Sequence, residues 1–322
     1  MHIHDINQVV SSEFDAVNDV ILRELTSHVP LVEHIAEYII SSGGKRLRPL
    51  VTLLIGRALD YDQKALIELA AIIEFLHTAT LLHDDVVDTS DLRRGRPTAN
   101  NKWGNAPSVL VGDFLYSRAF QLMVRIGNMA VMDRLANATN VISEGEVLQL
   151  MNVRNPDLSI EDYYQVIKGK TAMLFAAATE SAAVLAGSDS AVQKAAYDYG
   201  IDLGIAFQIQ DDILDYSGSA EALGKNAGDD LAEGKVTLPL IRTLQTCDDI
   251  TRKRIRRAIR QGGTEDLDPI LEAVQTTGAL EFCQQQALKH CDQAISALSI
   301  LPDSPARDAL SGLARLAVAR ET

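Results

Sequence analysis

Apolar residues recur at helical rather than alternating spacing along nearly all of the 322-residue chain. Ile6, Val9, Val10, Phe14, Val17, Val20 and Ile21 form a first amphipathic stripe, and a short helix is predicted near about 31–40. The run Ser41-Ser42-Gly43-Gly44-Lys45-Arg46-Leu47-Arg48-Pro49 breaks the pattern, and a new helix then continues to about residue 59. A long, greasy helix is predicted over about 63–88, followed by a polar loop at about 89–107. Further helices are expected at about 108–126, 131–153, 159–186 and 191–216, then a loop rich in Gly and charge at about 217–235. Shorter, more charged helices close the chain and read as packing and dimer surface. No linker, low-complexity run or repeat divides the sequence, so the expectation is one all-α domain over 1–322 with a substantial core.

Two helix ends carry unusual chemistry. Leu82-His83-Asp84-Asp85-Val86-Val87-Asp88 places three carboxylates at the end of an apolar run, and Asp211-Asp212-Ile213-Leu214-Asp215 repeats the spacing at the end of another. Asp84 and Asp88 stack on one face about 40° apart, while Asp85 points about 100° away. Like charges this close, in buried-helix surroundings, require a cation or solvent. Oxygen-only ligands favour Mg²⁺, which keeps waters and bridges to substrate phosphates. One such motif is a common accident of solvated caps; two, each ending an apolar helix, point to a shared metal site. Asp229-Asp230-Leu231-Ala232-Glu233 has the spacing without the helix and, between Gly228 and Gly234, reads as a polar loop.

Basic residues flank the aspartates: Lys45, Arg46 and Arg48 after a Gly-Gly, Arg93 and Arg94 after the first cluster, Lys225 and Lys235 after the second. Singly, each is ordinary surface charge. Together they suggest a site for more than one phosphate. His77 lies two helical turns before Asp84 on the same stripe, whereas His83 is at about a right angle to it and reads as a core residue. Lys168, Lys170 and Thr171 interrupt an apolar stretch, and Phe207-Gln208-Ile209-Gln210 puts amides one turn before the second cluster, where each needs a partner or ligand. Glu144, Glu146 and Gln149 raise the same question and are read as structural.

The net charge of −14 argues against a general nucleic-acid or anionic-membrane binder. The N-terminus has no signal-peptide pattern, and the pattern suggests no transmembrane segment. Cys247, Cys283 and Cys291 are an odd number without metal spacing, which fits a reducing, cytoplasmic compartment; the latter two are expected buried on one helix.

These motifs, in this order, resemble those of the trans-isoprenyl (polyprenyl) diphosphate synthases. The likeness is carried by Gly43-Gly44-Lys45-Arg46-Leu47-Arg48-Pro49, the first aspartate cluster with Leu92-Arg93-Arg94-Gly95, Gly169-Lys170-Thr171, Phe207-Gln208 with the second cluster, Leu223-Gly224-Lys225, and Gly228-Asp229-Asp230 through Gly234-Lys235. Glu144-Gly145-Glu146-Val147-Leu148-Gln149-Leu150, with Ala79, resembles the bacterial long-chain members, above all those making octaprenyl diphosphate for the ubiquinone side chain. The resemblance implies a homodimeric helical bundle around a deep central cavity, with the two aspartate motifs facing each other across its mouth. It implies that Asp84, Asp88 and Asp211 hold two or three Mg²⁺ on an allylic diphosphate, with Asp85, Asp212 and Asp215 in support, Asp215 also as a metal ligand. Arg93, Lys170, Lys225 and Lys235 would clamp the leaving group. Lys45, Arg48, His77 and Arg94 would hold isopentenyl diphosphate, and Gln208 with Thr171 would face the allylic cation. A transient membrane contact would serve product release.

Chain length, on the same resemblance, is set by the residues four and five before the first aspartate, here the small Thr80 and Ala79, with Leu76, Ile72 and Phe75 in the next layer. A helical wheel puts Thr80 about 40° from Asp84 and Ala79 about 140° away, so the wheel favours Thr80 and Ile73 while the resemblance favours Ala79. The competing readings are a terpene cyclase, a shorter-chain synthase, a non-catalytic partner subunit and a plain helical bundle. A cyclase lacks use for Lys45, Arg48 and His77, and a partner subunit tends to lose aspartates that are intact here.

Overall fold

The structure is a computed structural model, and it describes residues 1–217, 228–262 and 265–319. Helices dominate it, in agreement with the 3.6-residue periodicity. The chain sorts into two compact units, each assembled from three segments: Met1–Thr139, Leu174–Gly200 and Ile295–Leu313 in the first, and Asn140–Met173, Ile201–Ala294 and Ala314–Thr322 in the second.

In the first unit the N-terminal stripe folds as two helices, α1 (Ile3–Gln8) and α2 (Ser11–Glu24), followed by α3 (Pro30–Ser41) and α4 (Leu47–Ala58). Pro30 starts α3 at a position where its missing N–H costs nothing. The central helix α5 (Lys64–Val87) buries residues on every side, including Leu69 to Phe75 without interruption, which is why its apolar positions show no polar face. It packs mainly against α7 (Asn105–Ile126), and also against α4 and α2. By length and composition α5 could cross a bilayer, which corrects the expectation that no stretch reaches that threshold; but 72% of that window is buried inside the protein, as in a core helix.

The polar loop after α5 is more ordered than its sequence suggests. It contains a two-stranded hairpin, β1 (Leu92–Arg93) and β2 (Arg96–Pro97), and a short helix α6 (Ala99–Trp103) capped by Thr98. The hairpin turn, Arg94-Gly95, has φ of 53° and 72°, the mirror-image conformation that tight hairpins prefer. Strands of two residues carry no alternation, so no strand was predicted here.

The remaining helices are α8 (Met129–Asn152), α9 (Ile160–Ile167), a π turn (Lys168–Ala172), α10 (Met173–Leu185), α11 (Ser190–Tyr216), α12 (Asp229–Ala232), α13 (Leu238–Thr246), α14 (Asp249–Gln261), α15 (Leu267–Thr276), α16 (Ala279–Ala297) and α17 (Pro305–Val318). The helix expected at about 159–186 is thus interrupted by the π turn, a widening common at functional positions. The supposed polar loop at Asp229 is instead one helical turn. Cys283 and Cys291 are buried on α16, as expected, and all three cysteines are free thiols.

Candidate active site

In the first unit the outer and middle aspartates of the α5 cluster part company. Asp84 and Asp88 are half-buried, whereas Asp85 is wholly buried. Arg93, arriving on β1, holds Asp85: its Nε donates to Oδ1 at 3.0 Å and to Oδ2 at 3.2 Å, and its Nη2 donates to Oδ1 at 2.6 Å. Much of the Arg93 fork, expected on a substrate diphosphate, is therefore spent on Asp85. Asn100 adds a bond from Nδ2 to the Asp85 carbonyl at 3.2 Å.

The hairpin turn sends the adjacent arginine elsewhere. The Arg94 guanidinium lies on Gly44, where an added Cβ would sit 2.5 Å from Nη1. Gly44 has φ +143°, so both its conformation and the space above it require glycine. The Gly-Gly loop ends at Arg46, itself left-handed at φ 43°, which starts α4. Arg48 follows one turn later: its Nη1 donates to His77 Nε2 at 3.2 Å, and its guanidinium stacks over Phe175 at 4.3 Å. Because an arginine can only donate, the His77 proton sits on Nδ1. Burial, with Arg48, Arg93 and Arg94 nearby, depresses the His77 pKa well below the usual histidine range, so the ring is neutral. Lys45 is exposed on the same loop.

Glu74, one turn before His77, was not singled out from sequence. It is buried, with an ion pair from Oε1 to Arg46 Nε at 3.8 Å. Arg46 also donates to the Asn18 side chain. The signal for Glu74 was available: an acid on an apolar helix. His83 faces away from this group, donating to the Val109 carbonyl at 3.1 Å and stacking on Tyr116, as its wheel position requires. Of the chain-length candidates, Ala79 and Leu76 are buried and Thr80 is half-buried, its hydroxyl donating to the His77 carbonyl at 2.7 Å.

In the second unit the middle aspartate is again the buried one. Asp212 accepts from the Tyr163 hydroxyl at 2.5 Å and from Gln208 Nε2 at 2.8 Å, while Thr171 Oγ1 donates to Gln208 Oε1 at 2.9 Å. A continuous chain thus runs Thr171–Gln208–Asp212–Tyr163, and it fixes the orientation of the Gln208 amide. Burial, then Asp230 and Asp211, push the Asp212 carboxyl well up, against the two hydrogen bonds. Asp211 is half-buried; Asp215 is buried and accepts from the Asp230 backbone N–H at 3.3 Å. The turn at Asp229 therefore belongs to this site.

Lys170 projects from the π turn and pairs with Glu146 at 2.7 Å, so Glu146, read as structural, contacts a site residue. The pairing follows from close backbone contact: a Cβ on Gly145 would lie 2.8 Å from the Lys170 nitrogen. Lys235 pairs with Glu233 at 2.7 Å. Lys225 lies outside the described residues. Tyr163 escaped the sequence pattern, and the contacts of Glu146 and Asp230 could not be read from it, because each reaches a lysine or aspartate elsewhere in the chain.

Among the described residues no group of three or more His, Cys, Asp or Glu side chains forms a ready-made metal cage. The donors still suit Mg²⁺: half-buried, all-oxygen carboxylates are the few protein ligands that this ion takes when phosphates and water complete its shell.

The sequence matches the polyprenyl synthetase family over residues 29–277, and the chain belongs to that family. It is 51% identical over 322 residues to octaprenyl diphosphate synthase of Escherichia coli (strain K12), covering 100% of both chains. It is 48% identical to a geranyl-diphosphate-specific all-trans-nonaprenyl-diphosphate synthase of Rhodobacter capsulatus, covering 98% of this chain and 97% of the relative. Among solved structures it is similar to a polyprenyl synthase from Caulobacter crescentus CB15, complexed with calcium and isoprenyl diphosphate, with a TM-score of 0.96, 45% identity, and coverage of 100% of this chain and 98% of that one. The fold is accordingly the all-α isoprenoid synthase fold.

Proposed function

We propose that this protein is a long-chain trans-polyprenyl diphosphate synthase that condenses isopentenyl diphosphate with an allylic diphosphate, farnesyl diphosphate by preference, to give octaprenyl diphosphate for a quinone side chain. The observation that carries this reading is the division of labour repeated in both aspartate clusters. Asp85 and Asp212 are buried and held by protein partners, and the half-buried Asp84, Asp88 and Asp211 are the aspartates suited to Mg²⁺ and substrate. Asp215, buried and accepting from the Asp230 backbone N–H, is assigned a supporting role.

Lys170 and Lys235 bind the allylic diphosphate, with Lys225 assigned to the same task by resemblance. Arg93 acts chiefly by setting Asp85 and the hairpin. Lys45, Arg48, His77 and Arg94 take isopentenyl diphosphate; neutral His77 accepts from Arg48 and fixes its fork. When bound, Mg²⁺ stabilises the negative charge that grows on the departing diphosphate. The carbon left behind is an allylic cation, which apolar helix faces protect from water and the oriented Thr171 and Gln208 dipoles face. The double bond of isopentenyl diphosphate attacks, a new carbon–carbon bond forms, and a proton leaves to the released diphosphate.

A homodimer is supported by α7, where Leu110, Phe120 and Val124 are exposed on one stripe. The C-terminal segments, expected to supply that surface, expose Ile250, Leu288 and Ile300 at scattered positions. The purified chain, given an allylic diphosphate with and without isopentenyl diphosphate, tests the reading. Consumption that requires isopentenyl diphosphate supports it. Cyclised product without isopentenyl diphosphate, or no activity from the chain alone, rejects it.

A further inference from the structure

Three guanidiniums, those of Arg46, Arg48 and Arg94, converge around Glu74. Arg46 and Arg48 come from the start of α4 and Arg94 from the hairpin turn, so no single element holds them together. Their mutual repulsion must be offset by something in the protein, because the cluster has to form before substrate arrives. Burial pushes the Glu74 carboxyl above its usual range, and all three arginines lie close enough to act against that rise. Arg46 Nε pairs with Glu74 Oε1 at 3.8 Å. Oε2 is buried and, among the described residues, has no hydrogen-bond partner. A buried carboxylate oxygen left in that condition is costly, and an apolar residue would serve the packing of α5 better.

The contrast with Asp85 is informative. Asp85 consumes the fork of Arg93 in direct hydrogen bonds. Glu74 acts on Arg48 and Arg94 through space, which restrains their positions while leaving the bidentate geometry that recognises a phosphate to other partners. We propose that Glu74 is the positioning residue of the isopentenyl diphosphate pocket, a buried counter-charge that gathers Arg46, Arg48 and Arg94 without touching the substrate. This rests on the assignment of that pocket to isopentenyl diphosphate above.

Glu74→Gln keeps the shape and removes the charge; Glu74→Asp keeps the charge and shortens the reach. If Glu74 positions the arginines, Glu74→Gln raises KM for isopentenyl diphosphate about tenfold and leaves KM for the allylic substrate within about twofold, while Glu74→Asp recovers most of the loss. A purely structural carboxylate would lower the melting temperature and kcat without separating the two KM values, which overturns the proposal. So does a lower KM for isopentenyl diphosphate in Glu74→Gln, which would make Glu74 a repulsive neighbour. Should Glu74→Gln not fold, Glu74→Asp alone decides through the same KM comparison. The thermal shift produced by isopentenyl diphosphate in EDTA reads the pocket without turnover. A smaller shift in Glu74→Gln than in wild type supports the role and an equal one refutes it, even if the proposed reaction itself fails.

Discussion

The guanidinium of Arg94 rests on the bare backbone of Gly44, where a methyl group would come within 2.5 Å of Nη1. Two motifs 50 positions apart by residue number are joined by that contact, and each needs its own special backbone to make it: φ +143° at Gly44 and +53° at Arg94. Gly44→Ala is therefore expected to displace Arg94 and raise KM for isopentenyl diphosphate, by about the tenfold that loss of one charge-assisted contact implies, with the allylic KM little changed. Steady-state kinetics with each substrate varied in turn checks this; equal changes in both constants would contradict it.

The aspartates should divide into two classes on substitution. Asp84→Ala and Asp211→Ala are expected to nearly abolish turnover and to leave the melting temperature unchanged or raised, because removing a repulsive carboxylate does not harm the apo protein. Asp85→Ala is expected to lose both, at a cost of about 3 kcal/mol, because it strands the Arg93 guanidinium. Melting curves and rates on the same samples separate the classes. An Asp85 variant as stable as wild type would show that its pairing with Arg93 is dispensable.

Acid stability offers an independent check away from the site. Glu24 is buried and accepts from Arg125 Nη1 at 2.8 Å. That bond, with help from Arg23, holds its carboxyl below the usual value of 4.5. A depressed folded-state pKa contributes stability that is present above the unfolded value and lost as pH falls through the folded one. Wild type should exceed Glu24→Gln by roughly 1–2 kcal/mol near neutral pH, a modest figure because both arginines are half-exposed. The gap should close as pH falls below about 4.5. Chemical denaturation across that range measures it, and a gap that is constant with pH would rule out the ionic origin.

Product length tests the α5 wall. Ala79 is fully buried on α5. Ala79→Tyr is expected to shorten the product to about farnesyl or geranylgeranyl length while still permitting ionisation of the allylic substrate; in a closed core the same change would instead cost about 1–3 kcal/mol. Product chromatography and a melting curve distinguish the two. Long products from a stable Ala79→Tyr protein would move the wall to Thr80.

Much of this molecule was legible in its sequence because its signals are local. The helices and the position of the two aspartate clusters at helix ends follow from 3.6-residue periodicity. What escaped depends on contacts between distant residues. Nothing near Tyr163 announces Asp212, 49 residues on, as its partner. Nothing in Glu146 announces Lys170, 24 residues on, because the pairing depends on the close approach of Gly145 to the π turn. The hairpin escaped because strands of two residues carry no period, and its turn is what separates Arg93 from Arg94. Glu74 was visible as an acid on an apolar helix, yet only the convergence of three arginines gives it meaning.

As a long-chain synthase, this protein is expected to lengthen an allylic diphosphate by repeated addition of isopentenyl diphosphate. The most direct test is to incubate the pure protein with farnesyl diphosphate, isopentenyl diphosphate and Mg²⁺ and to resolve the products by length. The expected result is a series of all-trans polyprenyl diphosphates ending near octaprenyl. Farnesyl diphosphate recovered unchanged, or converted without incorporation of isopentenyl units, would contradict the account.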